Sequence, residues 1–189
     1  MLVKTVYSHL NTLRFTKNSS TTLQKHYKAG FQFSTDDIIT AQKLVKKLKV
    51  SARVRNLALK IITSSFYAPN IKFKINPEEN SPHCTLCGYH TATQSHIFNH
   101  CPFAQITKII FGCAYLIDYG TSLKMDSVYT YIAAIPPNKY SKKDQVNLDS
   151  LIHLANYIIY IAGIKKFLIN GLNDFLNLIH KTCLIAAAL

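Results

Sequence analysis

Cys84-Thr-Leu-Cys87-Gly-Tyr-His-Thr-Ala-Thr-Gln-Ser-His96-Ile-Phe-Asn-His-Cys101 is the stretch on which the reading of this chain turns. Three sulfurs and the imidazole of His96 fall within 18 residues. That is a full set of four soft and borderline donors, the complement a closed structural zinc site requires. Two cysteines separated by two residues can grip one ion from a single tight turn. A His and a Cys separated by four residues can close the tetrahedron from a short helix or turn. The spacing therefore predicts Cys84, Cys87, His96 and Cys101 as ligands of a structural Zn2+ ion.

The neighbouring residues leave alternatives. A lone CxxC also suits a redox pair, but no βαβ pattern surrounds this one. His83, His90 and His100 flank the four donors. His90 can replace His96 at the cost of a ten-residue gap to Cys101; the His-x4-Cys spacing favours His96. His100 adjoins Cys101, and adjacent residues seldom ligate one ion through a compact loop. The cysteines number five, an odd count that disfavours a purely disulfide framework. Cys113 and Cys183 lie in apolar surroundings and read as small hydrophobes.

Outward from the cluster, 189 residues allow one domain or two small ones. An apolar share of 48% is ordinary for a folded chain and supplies a core without disulfides. The opening residues are too soon interrupted by charge to resemble a secretory signal. The longest apolar stretch, Leu151 to Ile164, is broken by His153 and Asn156 and falls short of the ~20 residues of a membrane span. The expectation is a soluble intracellular protein, nuclear or cytoplasmic, with no membrane partner and no small-molecule substrate.

Charge is uneven. Residues 1–77 hold 14 Lys and Arg against Asp36 and Asp37, whereas residues 78–189 hold 8 against 7 Asp and Glu. Nearly all of the net +13 therefore precedes the cysteines. Such asymmetry suits a polyanion, RNA or DNA, which is the favoured reading; compositional drift towards Lys, Asn, Ile and Tyr is the alternative. Lys43, Lys46, Lys47, Lys49, Arg53, Arg55, Lys60, Lys72 and Lys74 are the candidates for a face that tracks a phosphate backbone. Tyr67, Tyr89, Phe73 and Phe98 are candidates for base stacking. Core packing is the better reading of Phe73 and Phe98, which leaves Tyr89 as the expected exposed ring.

Hydrophobic spacing predicts a mostly α chain, a small helical domain around a CCHC loop with at most one or two short strands. Residues 1–34 read as a basic, weakly structured lead-in, 35–119 as the helical zinc-binding domain with its loop at 84–101, and 120–189 as a C-terminal helical segment packing on it. Ser34-Thr-Asp-Asp37 offers N-cap chemistry to a helix carrying Ile38, Ile39, Ala41, Leu44, Val45 and Leu48. The Asp pair there reads as capping rather than as polymerase carboxylates. A second helix starts at Ser51, buries Val54, Leu57, Ala58, Ile61 and Ile62, and is expected to stop at Tyr67-Ala-Pro69. Ile71-Lys-Phe-Lys-Ile75 alternates and reads as a short strand or extended linker. Later helices are expected at about 103–119, 142–169 and from Leu172. Val128 to Ile132 fits either a strand or a helical turn.

With these elements placed, residues 84–103 resemble the zinc-binding region that follows the reverse transcriptase domain of non-LTR retrotransposon proteins. That pattern runs CxxC, eight residues usually containing Glu-Thr, His-Leu/Ile-Phe and then Cys-Pro. Lys47 to Pro69 resembles the family's basic helix ending in a proline before the first cysteine. The likeness covers about residues 45–105 and extends faintly to 170. Ala92-Thr93 departs from Glu-Thr, which removes a carboxylate outside the ligand set. No Tyr/Phe-x-Asp-Asp motif and no endonuclease constellation is present. The resemblance thus implies a non-catalytic, zinc-bound nucleic-acid module, a fragment or remnant of a mobile element's protein. Its other possible partner is a polymerase domain, with the zinc loop as a protein-docking module. A third class, a metalloenzyme using Glu78 or Glu79 as base, conflicts with a donor set that fills all four positions.

Overall fold

Ser34 shows how the first well-defined helix is made. Its hydroxyl accepts the backbone N–H of Asp37 at 3.1 Å, and the Asp37 carboxylate accepts the Ser34 N–H at 2.8 Å. This reciprocal capping box satisfies two donors at the start of α1, Thr35–Val45. Ile38, Ala41 and Val45 then line the buried stripe, with Leu48 just beyond. A computed structural model describes residues 22–27, 33–48, 50–119, 142–164 and 177. They are mostly helical, with no strand among them. The other elements are α2, Ala52–Ile62; α3, Pro69–Ile75; a π-helical turn, His96–His100; α4, Pro102–Tyr119; and α5, Lys142–Ile164.

The second helix begins as its sequence predicts, with the Ser51 hydroxyl accepting the Val54 N–H. The five residues assigned to its apolar side are all buried. Its end differs from expectation. The helix stops at Ile62, seven residues short of Pro69, because Ser64 takes a left-handed φ of 49° and its N–H turns back to the Ile61 carbonyl. Pro69 starts the next helix instead, as its first residue, where the missing N–H costs nothing.

That next helix corrects the reading of residues 71–75 as a strand or linker. Ile71, Phe73 and Ile75 alternate with lysines, but α3 is a helix with no buried residue. Period-two alternation signals a strand only when one side meets a sheet, and no sheet is at hand among the described residues.

The last turn of α2 shows how the chain around it is drawn in. A helix end leaves carbonyls without partners. Here the Ile61 carbonyl accepts from Gln94 Nε2 at 2.9 Å, the Ile62 carbonyl from His26 Nε2 at 2.8 Å and the Thr63 carbonyl from the Thr22 hydroxyl at 3.5 Å. Thr22 and His26 belong to a helical segment at residues 22–27, inside the stretch expected to be a weakly structured lead-in. His26 is fully buried, and Phe33 meets its ring edge-on at 5.0 Å. Burial lowers its pKa, against the raising effect of the bond to Ile62.

The core is one main cluster with a smaller one beside it. In the main cluster, α1 and α2 residues meet Ala68, Ala92, Ile97, Phe98, Ala104 and Ile159. Cys84 and Cys101 belong to it. Phe98 is 0% exposed and packs edge-on against Phe66 at 5.1 Å. The smaller cluster joins Val54 and Phe111 to Leu154, Ala155, Ile158 and Ala162 of α5. No helix among the described residues is long and apolar enough to cross a membrane. The readings of 128–132, of a helix from Leu172 and of Cys183 lie outside the described residues.

Candidate metal centre

The first two donors come from a turn held by its own backbone. The Cys84 N–H donates to the Tyr89 carbonyl and the Gly88 N–H to the Cys84 carbonyl, each at 2.8 Å. The chain must reverse right after Cys87. Gly88 does this with φ 75°, a conformation that costs an L-residue about 1–2 kcal/mol. The N–H groups of Leu86 and Cys87 turn towards the Cys84 sulfur. Outside the turn, the Thr85 hydroxyl donates to the Gly163 carbonyl at 3.0 Å and ties it to the end of α5.

The second pair comes from a turn of unusual width. In an α-helix, side chains five positions apart point about 140° away from each other. Here the Cys101 N–H bonds to the His96 carbonyl at 2.6 Å, an i to i+5 bond that brings His96 and Cys101 to one side. Thr93 starts this turn: its carbonyl accepts the Ile97 N–H and its hydroxyl the His96 N–H, both at 3.0 Å. Cys101 then begins α4, since its carbonyl accepts the Gln105 N–H at 3.0 Å. The N–H groups of Ala104 and Phe103, from the first turn of α4, face the Cys101 sulfur. Those N–H groups lower its pKa, against the raising effects of the Cys84 bond and of burial.

These two pieces bring together the four residues that the spacing picks out. One donor atom each from Cys84, Cys87, His96 and Cys101 lies within 4.8 Å of the others. The Cys84 and Cys101 sulfurs are 4.0 Å apart, and the Cys87 sulfur is 3.2 Å from His96 Nε2. Cys84, His96 and Cys101 are buried, and Cys87 faces solvent. Such a group can hold a metal ion. As thiols the two buried cysteines titrate as a pair. Cys84 is lowered by the hydrogen bond from Cys101, and Cys101 is raised by that bond and by burial.

The flanking histidines fall outside the group. His83 Nδ1 sits 2.7 Å from the Ser81 hydroxyl, and His90 and His100 are exposed. Ala92, where the resembling proteins carry Glu, is 0% exposed in the core. A carboxylate there would need a buried partner.

The other candidate residues are placed as follows. Lys43, Lys46, Lys47, Arg53, Lys60, Lys72 and Lys74 are exposed, Arg55 is half-buried, and Lys49 lies outside the described residues. Phe98 is a core residue and Phe73 is half-buried. Tyr89 is 48% exposed. Its ring already stacks on His96, with centroids 4.6 Å apart and planes 16° from parallel, and His90 lies 4.4 Å away. So Tyr89 shields the imidazole at the rim of an open groove lined also by Lys25, Thr91, Ser95 and His100.

Sequence reasoning passed over one cluster. Lys108 of α4 is 6% exposed, and its Nζ donates to the Phe98 carbonyl and, at 3.5 Å, to Asn99 Oδ1. Burial pulls its pKa down to about 7. Across from α4, the α5 residues Asp149, His153 and Asn156 are buried. His153 is pushed down to about 4 by burial first and by the Lys108 charge second. The available signal was a lysine on the buried stripe Ala104, Thr107, Lys108, Phe111. Compared with protein-family models, with curated proteins and with solved structures, the chain matches none of them.

Proposed function

We propose that the chain is a structural-zinc module that binds nucleic acid and performs no chemistry. The observation that carries this reading is the convergence of three thiol sulfurs and one imidazole nitrogen within 4.8 Å. Zinc–sulfur bonds of about 2.3 Å and zinc–nitrogen bonds of about 2.0–2.1 Å make tetrahedron edges of about 3.5–3.8 Å. The separations of 4.0 Å and 3.2 Å bracket that range. Four protein donors leave no open position for an activated water. Glu78 and Glu79, the carboxylates nearest in sequence, sit exposed on the preceding loop.

The ion's role is mechanical. Two of its ligands belong to the core, so binding it draws the turn at 84–88 against the start of α4. For small zinc modules that free energy is folding free energy, on the order of 10 kcal/mol. The basic helices α1, α2 and α3 would then present their lysines and arginines to phosphates. The reading as the tail of a retrotransposon reverse transcriptase protein rests on the resemblance over residues 45–105.

A filter-binding titration against salt tests the nucleic-acid half. Affinity for a single-stranded oligonucleotide should fall steeply as salt rises, with a log–log slope of about −0.7 per phosphate contacted. Replacing Lys43, Lys46 and Lys47 together by Gln should flatten that slope. A slope near zero in the parent chain would rule the reading out. One observation favours a second reading, docking onto a protein such as a polymerase domain. Tyr67, Ile71 and Ile75 are exposed around α3, at 62%, 38% and 69%. Capture of a protein partner in nuclease-treated material, with no binding to oligonucleotide, would favour that reading.

A further inference from the structure

The turn that carries His96 ends with a buried carbonyl that lacks a backbone donor. The helical backbone stops at Cys101, whose ψ of 130° is extended, so the Phe98 carbonyl has no α-helical donor at position 102. Pro102 is the first residue of α4, where its missing N–H costs nothing. In the wider π register the donor would be Phe103, but its N–H faces the Cys101 sulfur. A buried carbonyl left in this state costs about 1–3 kcal/mol. Lys108 reaches back along α4 and supplies the donor through Nζ, with Asn99 Oδ1 as a second acceptor. Lysine is among the residues least often buried, and here its side chain lies in the core beside Leu148 and Ile152 of α5. Such a placement needs a reason, and the carbonyl between His96 and Cys101 provides one.

We infer that Lys108 is a positioning residue for the metal centre: it caps the Phe98 carbonyl that the end of the helical turn at Cys101 leaves without a partner, and so holds the turn that aims His96 and Cys101 at one ion. This rests on the metal-binding reading above. Metal-bound turns depend on such supporting bonds, and losing one commonly weakens metal binding by about 10- to 100-fold.

The test is zinc affinity, read by competition against a chromophoric chelator, on the full chain. Lys108→Met keeps the side-chain volume and removes the donor. It should weaken zinc binding on the order of 10- to 100-fold. Lys108→Gln, which keeps a side-chain N–H donor, should lose less affinity than Lys108→Met. Equal affinity in Lys108→Met and parent would overturn the proposal, as would equal losses in the two variants. If Lys108→Met does not fold in excess zinc, a Lys108→Gln variant within about tenfold of the parent supports the proposal, and one that loses about a hundredfold or more contradicts it. A parent chain that takes up no zinc defeats the metal reading itself, a result distinct from each of these.

Discussion

Gly88 is the residue at which backbone and space can be separated. Its φ is 75°, yet an added Cβ would meet nothing within 4 Å. Gly88→Ala should therefore cost roughly 1 kcal/mol through backbone strain alone and leave metal stoichiometry unchanged. Urea denaturation of the zinc-loaded chain measures it; an unchanged midpoint would show that the turn tolerates a Cβ. His153 allows a prediction with a sign. In the unfolded chain an imidazole titrates near 6.5, whereas burial holds His153 near 4. Between those values the unfolded state binds the extra proton. The neutral-His153 contribution is thus complete above pH 6.5 and is lost as pH falls towards 4, by up to about 3 kcal/mol. Acid also protonates the candidate metal donors, so the informative quantity is a difference. His153→Leu should lose less stability than the parent over that range. Equal losses would mean that His153 gains its proton without cost.

At the scale of elements, the caps were readable and the turns were not. Ser34 and Ser51 announced α1 and α2 because capping is local chemistry between residues three apart. Ser34→Ala should cost about 1 kcal/mol of stability in a denaturant titration; no shift would mean that tertiary packing alone fixes α1. Local chemistry failed at α3, where alternation imitated a strand, and at the end of α2, where Ser64 stopped the helix before Pro69 acted. The π-helical turn was also hidden. His-x4-Cys spacing indicates that the two donors must meet, but not that an i to i+5 bond brings them there. Phe98, inside that turn, is completely buried. Phe98→Ala should cost about 3–5 kcal/mol and loosen both the core and the ligands. Circular dichroism melts with and without added zinc should show both effects. A well-folded variant with parental metal affinity would separate the turn from the core.

Across the whole molecule, the group of four donors was legible because thiols and imidazoles at close spacing have few other uses. What the set is attached to was less so. Ala92 reads as a missing carboxylate in the sequence but is a buried contact in the fold. Lys108 reads as one more positive charge but lies inside. Contacts between distant segments decide both cases, and one-dimensional spacing does not carry them. The same contacts make Cys84 and Cys101 core residues, so an ion bound there would hold α4 to the rest of the chain. The most direct measurement is metal content with X-ray absorption on the purified chain, together with helical signal in a strong chelator. One zinc per chain should be found, with three sulfurs at about 2.3 Å and one nitrogen at about 2.0–2.1 Å. Cys84→Ser should lose it, and chelation should unfold the helices. A chain that carries no metal and keeps its full helical signal in chelator would contradict the account.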